Sequence, residues 1–186
     1  MSRSSQKSHY LQSRLPDELT SGITGNAPLE IKELPLKWLA IFRNKGRGFA
    51  GSVAARLKVT DVSVVPSVDD PLKKEGKVVC DIEVTPDMCS ERGVLDEGCI
   101  FFLIDECSTV AMVVINAYDG LNTPPGVSQT INTFYHNPAL VGMKLRLVST
   151  SLSSGLQTNA GRCEVWDTKN HRLVASGTQQ TMPPSK

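Results

Sequence analysis

The feature that most constrains this chain is the run from Cys99 to Ile115, CIFFLIDECSTVAMVVI, an apolar stretch interrupted in its middle by Asp105 and Glu106. Phe101, Ile104, Val110, Met112, Val113 and Ile115 surround most of a helical circumference, so the spacing predicts a helix to about Asn116 that is buried on nearly every side. Two adjacent acids make it too polar for a membrane span. The rest of the chain must therefore wrap it. A carboxylate inside such a helix is costly without a partner or a purpose, which makes Asp105 the first candidate for chemistry. Just before the run, Asp96 reads as a helix N-cap and Glu97 as a first-turn acid favoured by the helix dipole.

The wrapping material is legible on both sides. Leu57 to Val65 and Lys77 to Val84 are rich in β-branched residues and read as strands, separated by a Pro66 to Gly76 loop. After the breaker NTPPG at 122–126, four further strands are expected over Ser128 to Tyr135, Lys144 to Ser151, Gln157 to Asp167 and Arg172 to Met182. Upstream, Ile31, Leu34, Trp38, Ile41 and Phe42 recur at helical spacing, and Pro35 is expected to open that helix. Gly46, Gly48 and Gly51 then mark a link. The predicted class is α+β, with an antiparallel sheet of about six strands wrapped around one long central helix. At 186 residues, a single domain over 29–182 follows a flexible tail, 1–28. A six-stranded open sheet has two edges, and burying them calls for a homodimer at least, or a homotetramer.

Composition removes several classes of function. Twenty Lys plus Arg against nineteen Asp plus Glu leave a net charge of +1, too little to recruit nucleic acid or an anionic membrane surface. The charge is unevenly placed: residues 61–110 hold four basic against twelve acidic residues, a balance of −8. The five cysteines are scattered, with no CxxC pair or nearby His, so neither a zinc site nor any other metal or redox cofactor is expected. Reduced thiols suit a cytoplasmic protein. Residues 1–16 are basic, serine-rich and without a membrane-length apolar core, a composition that also suits a mitochondrial presequence, though a disordered polar terminus is the plainer reading.

Gly93-Val94-Leu95-Asp96-Glu97-Gly98, followed by Asp105, Ser108-Thr109 and Gly126-Val127-Ser128, resembles the signature of hotdog-fold acyl-CoA thioesterases of the PaaI-like subfamily. The resemblance implies a curved sheet around one helix, with two chains paired into a continuous sheet. It implies acyl-CoA as the substrate and places Asp105 as base or nucleophile. Ser128 would help position water, and the Glu97 backbone N–H, with Gly98 beside it, would bind the thioester carbonyl. Asp96 stands where that family has His, and Ser90 where it has Asn, so both become candidate substrate contacts. Phe101 and Phe102, with the N-terminal helix, would shape the acyl pocket.

Geometry constrains this reading independently. Seven helical residues separate Gly98 from Asp105 by about 10 Å along the axis, whereas a base and its target must approach to about 3 Å or share one water. The two halves of the site must then come from different subunits. Asp96 and Glu97 put two carboxylates where the family presents a neutral cradle, which keeps open a hotdog protein that binds acyl thioesters or partners without turnover. A 3-hydroxyacyl thioester dehydratase is a further alternative.

Overall fold

The computed structural model describes residues 9–43, 48–121 and 123–183. The first eight residues of the basic terminus, Gly46 of the glycine link and Asn122 of the breaker lie outside this range. The elements are α1 (Asp17–Thr20), α2 (Leu29–Phe42), α3 (Gly51–Ala54), β1 (Lys58–Pro66), β2 (Lys74–Glu83) and α4 (Glu97–Tyr118). Four strands then follow: β3 (Val127–Tyr135), β4 (Lys144–Ser153), β5 (Asn159–Asp167) and β6 (Arg172–Met182). All pairings are antiparallel, in the order β1-β2-β4-β5-β6-β3. This is the predicted class and strand number, with β1 and β3 at the edges.

α4 is long and apolar enough to cross a bilayer by length and composition, yet it is the core helix, with Leu103, Ile104, Val110, Met112 and Val114 fully buried. Each such side chain contributes roughly 1.5–3 kcal/mol on leaving water. The sheet approaches it so closely that glycine is required at two points. A Cβ on Gly76 would sit 2.5 Å from the Ala111 carbonyl oxygen, and one on Gly177 would sit 2.8 Å from the Ile104 side chain. Strands from both halves of the sheet thus close on one helix.

Two sequence expectations are corrected. Pro35 does not open the second helix, which begins at Leu29 and continues through the proline. Burial of Ile31, Trp38 and Leu39 outweighs the lost N–H bond. The expected flexible tail is also too long, because Leu15, Ile23 and Ala27 are buried and Thr24 bridges to Asp61 on β1. This segment is fastened by a buried ion pair on α2: Glu33 and Lys37, with side chains 4% exposed each, meet at 2.7 Å. Glu33 accepts from the Leu15 N–H at 3.2 Å, and Lys37 donates to the Leu11 carbonyl at 3.1 Å.

Candidate active site

The N-terminus of α4 is set by the loop before it. Asp96 N–H donates to the Met88 carbonyl at 2.9 Å and Leu95 N–H to the Ala139 carbonyl at 2.8 Å, pinning the loop between a 3-10 turn (Pro86–Met88) and the β3–β4 connection. Asp96 is the N-cap: its Oδ1 accepts from the Gly98 N–H at 2.8 Å, an arrangement that stabilises a helix by about 1 kcal/mol. The Gly98 N–H is therefore occupied. The neighbouring Glu97 N–H takes no partner among the described residues, as expected of a first-turn donor, and the Glu97 side chain is exposed. Tyr135, at the end of β3, donates its hydroxyl to the Glu97 carbonyl at 3.1 Å. Burial and the charges of Glu97 and Asp96 push that phenol upward, so it remains a donor. Ser90 is turned into the loop, its hydroxyl donating to the Val94 carbonyl at 3.2 Å.

Two turns along α4, the sheet brings a second group of residues together. Ser128, near the start of β3, donates to Asp105 Oδ1 at 3.0 Å. Gln179, from the inward face of β6, donates through Nε2 to the same oxygen and to Ser128 Oγ, the latter at 2.8 Å. Behind it, the hydroxyls of Ser108 and Thr109 lie within hydrogen-bond distance of both Gln179 Oε1 and the Asp105 main-chain carbonyl, that of Thr109 at 3.1 and 2.8 Å. Burial pushes the Asp105 carboxyl above the usual carboxylate range, and the bonds from Ser128 and Gln179 draw it partly back. Among the described residues no cation pairs with it.

Asp105 and Ser128, predicted together, thus meet directly, and Glu97, Gly98, Asp96 and Ser90 gather at the helix N-terminus. Within one chain the two groups stay about 10 Å apart along the helix axis. Phe101 is exposed on α4, whereas Phe102 is half-buried and meets Phe49 edge to face, with ring centroids 5.9 Å apart. Gln179 is the residue that sequence reasoning missed. Its only signal is a polar side chain at an inward position of β6, in phase with Ala175 and Gly177.

Other chemistries find less support. Burial pushes the Cys99 thiol up to about 11, so the helix N-terminus holds no thiolate nucleophile. No group of His, Cys, Asp and Glu among the described residues could hold a metal ion. A cavity of about 820 Å³ opens between α3 and the β2–β4 strands, lined by Arg56, Lys58, Asp81, Lys144 and Arg146, away from Asp105. Its arginines are committed: Arg146 spans both oxygens of Asp81 at 2.9 Å, and Arg56 binds Asp87.

No protein-family model matches the chain. Over 120 residues it is 27% identical to human acyl-coenzyme A thioesterase 13, spanning 64% of this chain and 76% of that protein. The crystal structure of zebrafish thioesterase superfamily member 2 overlays with a TM-score of 0.62 at 24% identity, across 80% of this chain and 97% of that one. The chain has the hotdog fold and is similar to these thioesterases. A hypothetical thioesterase from Streptococcus pneumoniae, crystallised with coenzyme A, has the same fold, with a TM-score of 0.52 at 18% identity over 60% of this chain and 80% of its own. In this hotdog protein, Asp105 lies on the wrapped helix and Ser128 on the strand that follows it, the order in which the sequence signature presents them.

Proposed function

We propose that this hotdog protein hydrolyses acyl-coenzyme A to a free acid and coenzyme A, at a site completed between two chains. The observation that carries the reading is Asp105: a half-buried carboxylate on an apolar helix, bonded among the described residues only by neutral donors on one oxygen. Its Oδ2 has no partner among the described residues and is available to a water. Asp105 takes a proton from that water as the water oxygen bonds to the thioester carbon. The carbonyl oxygen gains negative charge, which the Glu97 N–H at the positive end of α4 stabilises. The C–S bond then breaks, and the departing thiolate takes the proton from Asp105. No metal enters the sequence.

The two-chain site rests on helix geometry and on the edge strand. One helix cannot bring Asp105 and the Glu97 N–H to the same carbonyl, whereas β3 is an unpaired edge presenting Val127 and Phe134, 51% and 66% exposed. Pairing β3 with a second copy would cover both and supply the missing half.

A second reading, binding without turnover, is favoured by Asp96 and Glu97, whose carboxylates stand beside the carbonyl-binding amide. A dehydratase has less to support it, since no His or Glu shares the hydrogen-bond group around Asp105. Release of free thiol from a panel of acyl-CoAs of increasing chain length separates the first two. The proposal expects release from at least one chain length; acyl-CoA bound with no release from any would leave the binder.

A further inference from the structure

Hydrogen-bond direction around Gln179 is set by the carboxylate it meets. Ser108 and Thr109 follow Asp105 by three and four residues and so lie on the same face of α4. Each hydroxyl has two acceptors in reach, the Asp105 main-chain carbonyl, at 3.4 Å from Ser108 and 2.8 Å from Thr109, and Gln179 Oε1. An ionised Asp105 can only accept, so the Gln179 NH₂ group faces Asp105 and Ser128 and the amide oxygen faces the hydroxyls on the helix. Because Ser128 Oγ accepts from Gln179, its own proton points to Asp105. A turned-over amide would set its carbonyl oxygen against the carboxylate and take the donor away from Ser128.

We propose that Gln179 is a positioning residue: its amide, donating to both Asp105 and Ser128 and backed by Ser108 and Thr109, locks them into one arrangement in which Asp105 Oδ1 is held and Oδ2 is left for water. This rests on the reading of Asp105 as the base and adds to it the element that aims the base. It also explains how a half-buried carboxylate persists with no cation among the described residues. β6 presents Gln179 and β3 presents Ser128, both neutral, and the carboxyl coupled to Asp105 is Glu106, next along α4, where Arg43 opposes the effect. Two neutral donors thus hold the ionised form where an ion pair would hold it permanently.

The test compares Gln179→Glu with the double variant Ser108→Ala/Thr109→Val, reading both the rate–pH profile and the ¹³C titration of the Asp105 carboxyl. Gln179→Glu keeps the side-chain shape and the acceptor for Ser108 and Thr109 but replaces the NH₂ donors with a second carboxylate. Its acid limb and the Asp105 titration are expected to move up by about one pH unit or more, with kcat lowered and KM little changed. The double variant leaves Gln179 bonded to Asp105 and Ser128 and removes only the backing of its amide oxygen, so a smaller upward move is expected. Unmoved titration in both variants, with wild-type turnover intact, would overturn the role of Gln179 alone. The titration needs no turnover, so a wild-type protein that releases no thiol while the titration still moves would remove the hydrolase reading and leave the positioning of Asp105 standing.

Discussion

Glu33 and Asp105 are both carboxylates set among apolar residues, and they are held in opposite ways. Glu33 is closed on both oxygens, one by Lys37 at 2.7 Å and the other by the Leu15 N–H, and Lys37 in turn reaches the Leu11 carbonyl. Every charge in that group is matched, and its product is mechanical: residues 11–15 are fastened to α2. Among the described residues Asp105 has no cation, takes its donors from the neutral Ser128 and Gln179, and keeps one oxygen unengaged. A buried carboxylate with all its partners can only hold a fold together. One with a free oxygen and a raised proton affinity can exchange a proton with a bound molecule.

The largest expected effect falls on the closed pair. Lys37→Met leaves Glu33 buried without its cation and should cost about 3–5 kcal/mol of stability in chemical denaturation, with turnover per folded molecule unchanged. Loss of turnover without loss of stability would erase the division between the two sites. Next is Glu97→Pro, which deletes one N–H at the first helical position, where proline fits. Turnover should fall by about 10²–10³-fold on an unchanged unfolding curve, and unaltered turnover would free the Glu97 amide from its role.

Glu106 offers an intermediate case. Burial, then the charge of Asp105, pushes its carboxyl up to about 7 while Arg43 opposes. A raised folded value means that the folded state favours the protonated acid, so the stability it contributes is complete below the ordinary value of 4.5 and is lost as pH rises through about 7. Glu106→Gln should therefore stabilise by about 1–3 kcal/mol above neutrality and have little effect in acid; equal effects at both ends would contradict the assignment. The smallest expected effect is that of Ser128→Ala. Gln179 still holds Asp105 Oδ1, so kcat should drop only about tenfold, one charge-assisted hydrogen bond's worth. A drop as large as that from losing Asp105 would make Ser128 an equal partner in the chemistry.

Most of the architecture was legible because the signals were local: period-two patterns for the strands, an apolar circumference for α4 and an acid at its cap. Asp105 stood out by being an acid in the wrong company, and its pairing with Ser128 came through the motif order. The failures share a different origin. Pro35 inside α2 and the docking of residues 15–27 depend on burial of Trp38, Leu39 and Ile23 against elements distant in sequence, and local propensity is silent about that. Gln179 lies 74 residues from Asp105, on a strand whose inward face only the sheet register of β6 against β3 and β5 defines.

The comparison between the two acids meets its most direct test in Asp105→Asn, assayed at once for thiol release from acyl-CoA and for stability. Asn keeps an oxygen for Ser128 and Gln179 and removes a half-buried charge that has no cation among the described residues. Turnover reduced by at least about a hundredfold, with stability equal to wild type or higher, is the predicted result. Turnover at the wild-type rate, or a loss of activity that merely follows a loss of folded protein, would contradict it.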